Sequence, residues 1–450
     1  MVPSADAEFS TLGDNAAING VHICNGGHVH VVMLTNSVAP DKLGGLERYV
    51  RELSAELVRK GAEVTILAKG VSAHSPAIET GDDGVEVSRY SVPNKKDPLF
   101  AAKYPFAVAQ AASKAVADRP NSILHAHFAV PALPLAMRNL PFMYTFHAPV
   151  YKELLSERQD SYVLPHFVQS FAVAGLRQAE RMILRRSVDV VTLSHFVQRE
   201  VAELDETVSS RVVQIPGGID TEKFRPAGSG DEHDAGLSRD DLTWSAGASP
   251  LLMVARRLVP RTGVLQLVKA MPEVLKRYPG ARLVVTGDGL SRPAIEAEID
   301  TLRLRDVVRL VGTVDDRALV SWYRRADLVV TPTQELEGFG LATAEAMACG
   351  TPALVTPIGA NAEVAEMLST SLVAGGRSPH DIATAINTVL ADRDALRCLA
   401  ELAREKVMHL SWHNVAERYL RIYDGQRQWA GSTRSARRRT FGGLPGRWST

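Results

Sequence analysis

Short apolar segments alternate with amphipathic ones along almost the whole chain, and this alternation restricts the architecture more than any other feature. His28 to Leu34 is β-branched and strand-like; a loop with Gly44 and Gly45 follows, then Leu46, Tyr49, Val50, Leu53 and Leu57 recur at helical spacing. Gly61 ends that helix. The strand series continues over 63–67, 85–90, 123–125, 142–146, 188–193 and 212–215. Most of these runs are apolar without strict alternation, as expected of strands covered by helices on both faces. Such an order predicts an α/β fold with a doubly wound parallel sheet. Around Pro226 the pattern breaks, and residues 227–248 are rich in Gly, Ser and Asp. A second series then starts, with strands over 251–255, 282–286, 307–311, 327–331 and 352–356. Two Rossmann-like domains in tandem are therefore expected. Their predicted bounds are a flexible leader at 1–27, a first domain at 28–224, a linker or insertion at 225–248 and a second domain at 249–408. A helix over 409–428, capped by Ser411, and a basic disordered tail over 429–450 complete the chain.

Charge and cysteine content narrow the function. Lys and Arg number 51 and so do Asp and Glu, so no global basic field exists to hold a nucleic-acid backbone. Cys24, Cys349 and Cys398 are odd in number and far apart, which argues against a disulfide framework and fits a reducing compartment. No apolar run approaches the ~20 residues of a membrane-spanning helix, and residues 1–17 carry Asp6, Glu8 and Asp14 where a secretory signal would be apolar. A cytoplasmic protein is the expectation. The tail bears Arg434, Arg437, Arg438, Arg439 and Arg447; it reads as a solvated extension, and its second reading is a weak peripheral contact with an anionic membrane face.

Two facing sheets open their carboxyl-end loops into one cleft, the usual place for ligands in open α/β sheets. The most informative loop follows the strand at 327–331. Gly338 and Gly340 let the backbone approach a ligand, and the helix opening near Leu341 presents N–H groups suited to a diphosphate. Glu337 and Glu345 lie on the loop and in the helix behind it. Carboxylates repel phosphate, so these two are expected at hydroxyl groups, which a sugar and a ribose supply. As a lone pair of acids they would read more plainly as surface residues.

With seven residues between them, Glu337 and Glu345 resemble the E-x7-E signature of the retaining glycosyltransferases of family 4, which have the GT-B fold. Other segments are similar to the family in order: Gly44-Gly45, the Thr145-Phe146-His147 strand end, Ile215-Pro216-Gly217-Gly218-Ile219-Asp220 with Gly217 where Asn is typical, 254–260, 285–289 and 311–314. The match spans roughly residues 28 to 425, the size of a two-domain chain. The resemblance implies that Glu337, His147 and Arg257 serve catalysis, with Glu337 at the transferred sugar beside the N–H groups of Phe339 and Gly340. It implies Glu345 on the ribose, Leu341 and Arg257 at the diphosphate, Gly312 and Val314 near the base, and Gly44 and Gly45 across the cleft. The family's R-L-x-P-x-K-G becomes Arg257-Leu258-Val259-Pro260-Arg261-Thr262-Gly263, so Thr262 replaces a lysine, and either Arg261 or Arg256 supplies the second charge or a hydroxyl contact substitutes at lower efficiency. The implied partners are a nucleoside-diphosphate sugar, most readily a UDP-sugar, and a hydroxyl acceptor that is a small molecule, an oligosaccharide or lipid-linked. No cofactor and no metal is expected, and the C-terminal helix is expected to cross back onto the first domain.

Rival readings rest on other residues. A dinucleotide-dependent oxidoreductase would need G-x-G-x-x-G, and Gly287-Asp288-Gly289 lacks the third glycine. A nucleotide-sugar isomerase of the same shape and a non-catalytic nucleotide-sugar-binding subunit remain as alternatives. His125 and His127 alternate along one strand and suggest a metal, but no Asp, Glu or Cys completes a ligand set; His22, Cys24, His28 and His30 lack metal-site spacing. Cys349, Trp322 and Tyr323 read as core. Asn361 and Glu363 read equally as ligand contacts or helix caps.

Overall fold

The structure is a computed structural model and describes residues 29–39, 41, 44–70, 78–91, 100–119, 122–157, 166–228 and 234–441. The leader with His22, Cys24 and His28 lies outside them. The strands are β1 (His30–Leu34), β2 (Glu63–Lys69), β3 (Ile78–Thr80), β4 (Glu86–Tyr90), β5 (Ile123–Ala126), β6 (Met143–Phe146), β7 (Val190–Thr192) and β8 (Val212–Gln214), then β9 (Leu251–Ala255), β10 (Arg282–Thr286), β11 (Val308–Gly312), β12 (Leu328–Thr331) and β13 (Ala353–Val355). The α-helices are α1 (Gly45–Arg59), α2 (Phe100–Asp118), α3 (Ala129–Met137), α4 (Val150–Glu157), α5 (His166–Arg186), α6 (His195–Leu204), α7 (Arg239–Ala246), α8 (Val264–Arg277) and α9 (Arg292–Thr301), continuing with α10 (Asp316–Arg325), α11 (Leu341–Ala348), α12 (Asn361–Glu366), α13 (Pro379–Val389), α14 (Arg393–Val407) and α15 (Trp412–Phe441).

β1 to β8 form one sheet in the order β3-β4-β2-β1-β5-β6-β7-β8, and β9 to β13 a second in the order β11-β10-β9-β12-β13. Every paired neighbour is parallel except β3 with β4. The central strands β1 and β9 are apolar along their length because helices cover both faces. The short edge strand β3, exposed at Ile78, escapes sequence reading because three residues carry no periodicity.

Two stretches differ from expectation. The Gly/Ser/Asp-rich linker contains α7, capped by the Ser238 hydroxyl, which accepts from the Asp241 N–H. Its anchor is one aromatic ring rather than a periodic face: Arg309 and Arg282 lie over Trp244 with centroid distances of 4.8 and 5.4 Å, and the indole N–H donates to the Asp306 carbonyl. Arg309 also pairs with Asp240 and Asp241. The tail, expected to be disordered from 429, continues as helix to Phe441, since residues 412–441 contain no proline and only two glycines. Residues 442–450 lie outside the described set. Among the described residues no helix is long and apolar enough to cross a membrane.

α15 returns to the first sheet and packs along α1. The Tyr419 hydroxyl meets those of Tyr49 at 2.9 Å and Thr145 at 3.0 Å, and Lys60 donates to Glu417 at 3.0 Å. The two main-chain hydrogen bonds between Ile219 and the pair Leu410 and Trp412 tie the crossover to the start of α15. Arg404 clamps the same region, donating to the carbonyls of Thr221, Phe224 and Ala348. One apolar cluster thus runs from Tyr49 through Ile219 and Phe224 to Phe339 and Trp412, joining both halves.

Under α15 lie three buried or half-buried histidines. His125 bonds to the Tyr423 hydroxyl and the Thr145 hydroxyl, each at 2.7 Å, and stacks on His127 with centroids 4.0 Å apart. His127 faces His147 at 3.4 Å, and its Nε2 is buried without a partner. Burial pushes the His125 and His147 imidazoles down to about 3 and that of His127 in the same direction, with neighbouring histidines adding to the effect on His125 and His127. The unfolded chain takes up these protons near pH ~6.5 and the folded chain only far below, so their contribution to stability is complete above ~6.5 and is lost as pH falls toward 3. The melting temperature should therefore drop steeply between pH 7 and 5. His127→Leu should flatten part of that slope in calorimetry, and an unchanged slope would remove the histidines as its cause.

Candidate active site

The second sheet presents its carboxyl ends in the order β11, β10, β9, β12. Strands are spaced about 4.8 Å apart, so the tips of β11 and β12 are separated by about 14 Å. Gly312 ends β11 and Val314 lies beyond it, the Gly287–Gly289 turn lies beyond β10, Arg256 and Arg257 beyond β9, and Glu337 beyond β12. Gly312 adopts φ +76°, and its carbonyl accepts from the Gly287 N–H at 2.7 Å.

The loop after β12 is held from several sides. Leu336 adopts φ +40°, a left-handed conformation that costs a branched residue about 1–3 kcal/mol and persists only where its surroundings impose it. Arg261 donates to the Leu336 carbonyl at 3.1 Å, and the Ala360 N–H donates to the Glu337 carbonyl at 2.9 Å. Glu337 itself is ion-paired with Arg256 and accepts from the Gly340 N–H at 3.2 Å. Of the two cations open as candidates, Arg256 thus neutralises Glu337, while Arg261 braces the loop and keeps its Nε buried without a partner. Arg257 stands exposed past the end of β9. Thr262 does not take the lysine's place toward the cleft: it is buried, and its hydroxyl donates to the carbonyls of Val259 at 2.7 Å and Arg257 at 2.8 Å. A hydroxyl so engaged has no proton left for a phosphate.

The first domain meets this loop directly. A Cβ on Gly338 would lie 2.3 Å from the His147 carbonyl, so glycine there permits a close backbone contact across the cleft rather than the ligand approach expected of it. Ser194, at the head of α6, donates to the Gly338 carbonyl at 2.9 Å. Gly45, at the start of α1, faces Leu341, whose Cδ1 would be 3.9 Å from a Cβ on it, and Gly44 is the extended residue before the helix. His147, half-buried just past the end of β6, stands edge-on to Tyr49 at 4.9 Å.

Several side chains serve the protein itself. Asn361 is buried and bridges Thr343 and Thr333; Glu363 crosses the cleft to accept from the His195 and Phe196 N–H groups at the start of α6. In sequence both residues suit a ligand contact and a helix cap equally. Glu363 is a cap, but of a helix in the other domain. Cys349 and Trp322 are core, as is the Tyr323 ring, though the Tyr323 hydroxyl reaches Glu345 at 3.2 Å. Among the described residues no cluster of three or more His, Cys, Asp or Glu side chains could hold a metal ion.

Gly217, where the resembled motif has asparagine, lies under Phe339. A Cβ at 217 would be 2.3 Å from the Phe339 ring, which is itself buried. Gly217→Asn should therefore cost about 1–3 kcal/mol through overpacking, and Phe339→Leu added to it should restore part of the loss in thermal melts. Full stability of the single variant would contradict the packing.

Two largely parallel sheets facing across a cleft, with a C-terminal helix crossing back and an acid-and-glycine loop over the second sheet, define a GT-B architecture. Residues 43–223 match the family profile described as Glycosyltransferase Family 4, and residues 244–406 that of Glycosyl transferases group 1. The chain belongs to the family 4 glycosyltransferases of GT-B fold. It is 28% identical to a D-inositol 3-phosphate glycosyltransferase of Nocardia farcinica over 84% of each chain, and 26% identical to a glycogen synthase of Mycobacterium tuberculosis over 88% of this chain and 94% of that one. Among solved structures, the sucrose-phosphate synthase of Thermosynechococcus elongatus superposes with TM-score 0.71 at 22% identity, covering 90% of this chain and 100% of that one. Anabaena HepE in complex with UDP and glucose does so with TM-score 0.69 at 19% identity, covering 88% and 100%.

Proposed function

We propose that this glycosyltransferase is a cytoplasmic, retaining, metal-independent enzyme that moves a sugar from a nucleoside-diphosphate donor, most readily a UDP-sugar, to a hydroxyl acceptor. The observation that carries the reading is the pair Glu337 and Glu345, one on a braced loop and one on the helix it opens, with Glu345 meeting the first domain at Arg48. The line of strand tips from Val314 to Glu337 suits an elongated donor, with the base toward β11 and the sugar toward β12. Arg257 and the α11 N–H groups supply positive charge where the diphosphate departs, and Arg261 is the nearest substitute for the missing lysine.

His147 enters as a neutral imidazole. With its proton affinity lowered so far by burial, it serves near neutral pH as a hydrogen-bonding group beside the donor sugar rather than as an acid. Retention follows if the acceptor hydroxyl attacks from the face the diphosphate leaves and passes its proton to the departing phosphate oxygen, so no side chain is needed as base. The acceptor then lies over the first domain between Gly44, Gly45 and His147. The names of the relatives suggest inositol phosphates and glucans as the first acceptors to try.

The test is a thermal-shift screen against UDP, GDP, ADP, dTDP and their sugar conjugates, with and without magnesium. A ligand at about 100 times its dissociation constant adds about 2.7 kcal/mol. A shift for one diphosphate family, indifferent to magnesium, is expected, and NMR of the product should show the donor's anomeric configuration kept. No shift with any nucleotide would overturn the proposal.

A further inference from the structure

Glu345 is not a free carboxylate. Its Oε1 is 2.9 Å from Nη1 of Arg48, a residue of the first domain one turn into α1, and its Oε2 accepts from the Tyr323 hydroxyl at 3.2 Å. The carboxylate is almost wholly buried, whereas Arg48 keeps some exposure. Arg48 is itself fixed: its guanidinium lies 5.2 Å over the Phe224 ring, which packs edge-on against Tyr323. Its Nε is 3.9 Å from Glu52, which is 3.9 Å from Lys223, which pairs with Asp316 of the second domain at 2.7 Å. Charges thus alternate from Glu345 through Arg48, Glu52 and Lys223 to Asp316, and the chain crosses between the domains twice.

We propose that Arg48 is a positioning residue for the donor: from the first domain it aims and charge-balances Glu345, so that the carboxylate's remaining lone pairs meet the vicinal hydroxyls of the donor's ribose. A carboxylate offers about four acceptor positions, and Arg48 and Tyr323 use two. A buried carboxylate without a cation would hold its proton and lose much of its strength as an acceptor. The arrangement makes recognition of the second domain's nucleotide depend on a first-domain residue, which couples donor binding to closure. This inference rests on the reading of the chain as a nucleotide-sugar transferase.

The experiment measures dissociation constants by titration calorimetry for UDP, GDP and ADP, each beside its 2′,3′-dideoxy counterpart. Wild type, Arg48→Gln and Arg48→Lys are compared, and the tightest-binding base is carried through. Wild type should prefer the ribose form strongly. In Arg48→Gln, affinity for the ribose form should fall roughly 10- to 100-fold while the dideoxy form changes little, so that the two converge to within about 2-fold. Arg48→Lys keeps the charge without the fork, should lose part of the discrimination, and serves if the glutamine variant fails to fold. A general loosening of the fold would weaken both forms alike. The pH profile gives a second readout. Glu345 is faced by Arg48 from α1, Lys223 from the crossover, Asp316 and Tyr323 from α10, and Cys349 just past the end of its own helix, while Glu52 and Asp220 surround Arg48 and Lys223. Burial raises its carboxyl and Arg48 opposes that rise. Affinity in Arg48→Gln should therefore rise more steeply with pH than in wild type. Unchanged ribose discrimination in a folded Arg48→Gln, or none in wild type, overturns the role of Arg48 alone. Failure of wild type to bind any of the three diphosphates overturns the transferase reading, and this inference with it.

Discussion

Glu337→Gln should lower turnover of the nucleotide-sugar donor by about 100-fold or more while the protein stays folded. Glu337 directly precedes Gly338, the loop residue that meets His147 and Ser194, and its two oxygens are set by Arg256 and the Gly340 N–H. Glutamine keeps the size and one acceptor but gives up the charge that pairs with Arg256. It also presents an amide where a sugar hydroxyl should meet a carboxylate. Arg256→Ala should cost a similar factor, and the double variant little more than either alone, because the two act as one ion-paired unit. Steady-state kinetics on the four proteins decides the matter. Near-normal turnover in Glu337→Gln would remove Glu337 from the chemistry, and strictly additive losses would separate it from Arg256.

That pairing also marks where reading the residues in order stops. The strand series was legible because buried parallel strands must be short and apolar, and β9 and β10 fall where their apolar runs place them. The loop carrying Glu337 was legible because its glycines and the two acids occur together within one short run. The partners of those acids were not. Arg48 sits beside Glu52 at i, i+4 on α1, which in sequence reads as an ordinary surface pair; its link to Glu345 exists only once the domains meet. Ser194 is by local chemistry the cap of α6 and Glu363 an acid in the first turn of α12, and only the fold turns them into contacts between domains. The loss of lysine at Thr262 was visible, yet not its consequence, because nothing local says that the hydroxyl turns inward onto two carbonyls. α7 escaped for a different reason: two arginines over Trp244 bury it without leaving a periodic stripe.

Gly263→Ala should be among the most damaging small substitutions in the second domain. Gly263 has φ +74° and joins the Pro260–Thr262 turn to α8, directly beneath the loop that carries Glu337. A Cβ there would lie 1.8 Å from the Pro332 carbonyl oxygen, an atom of the main chain that cannot rotate away. Two costs add: the left-handed conformation, at about 1 kcal/mol or more for alanine, and displacement of the backbone after β12, at about 1–3 kcal/mol. Gly61 separates the two. It has φ +87° after α1, but nothing lies within 4 Å of a Cβ placed on it, so Gly61→Ala should carry only the first cost. At roughly 2–4 °C per kcal/mol for a unit of this size, Gly263→Ala should melt about 4–16 °C below wild type and Gly61→Ala only a few degrees below. The shifted loop should also weaken donor binding in Gly263→Ala alone. Equal losses at the two sites would mean that backbone strain, and not the seating of the loop on Gly263, is what fixes Glu337 in place.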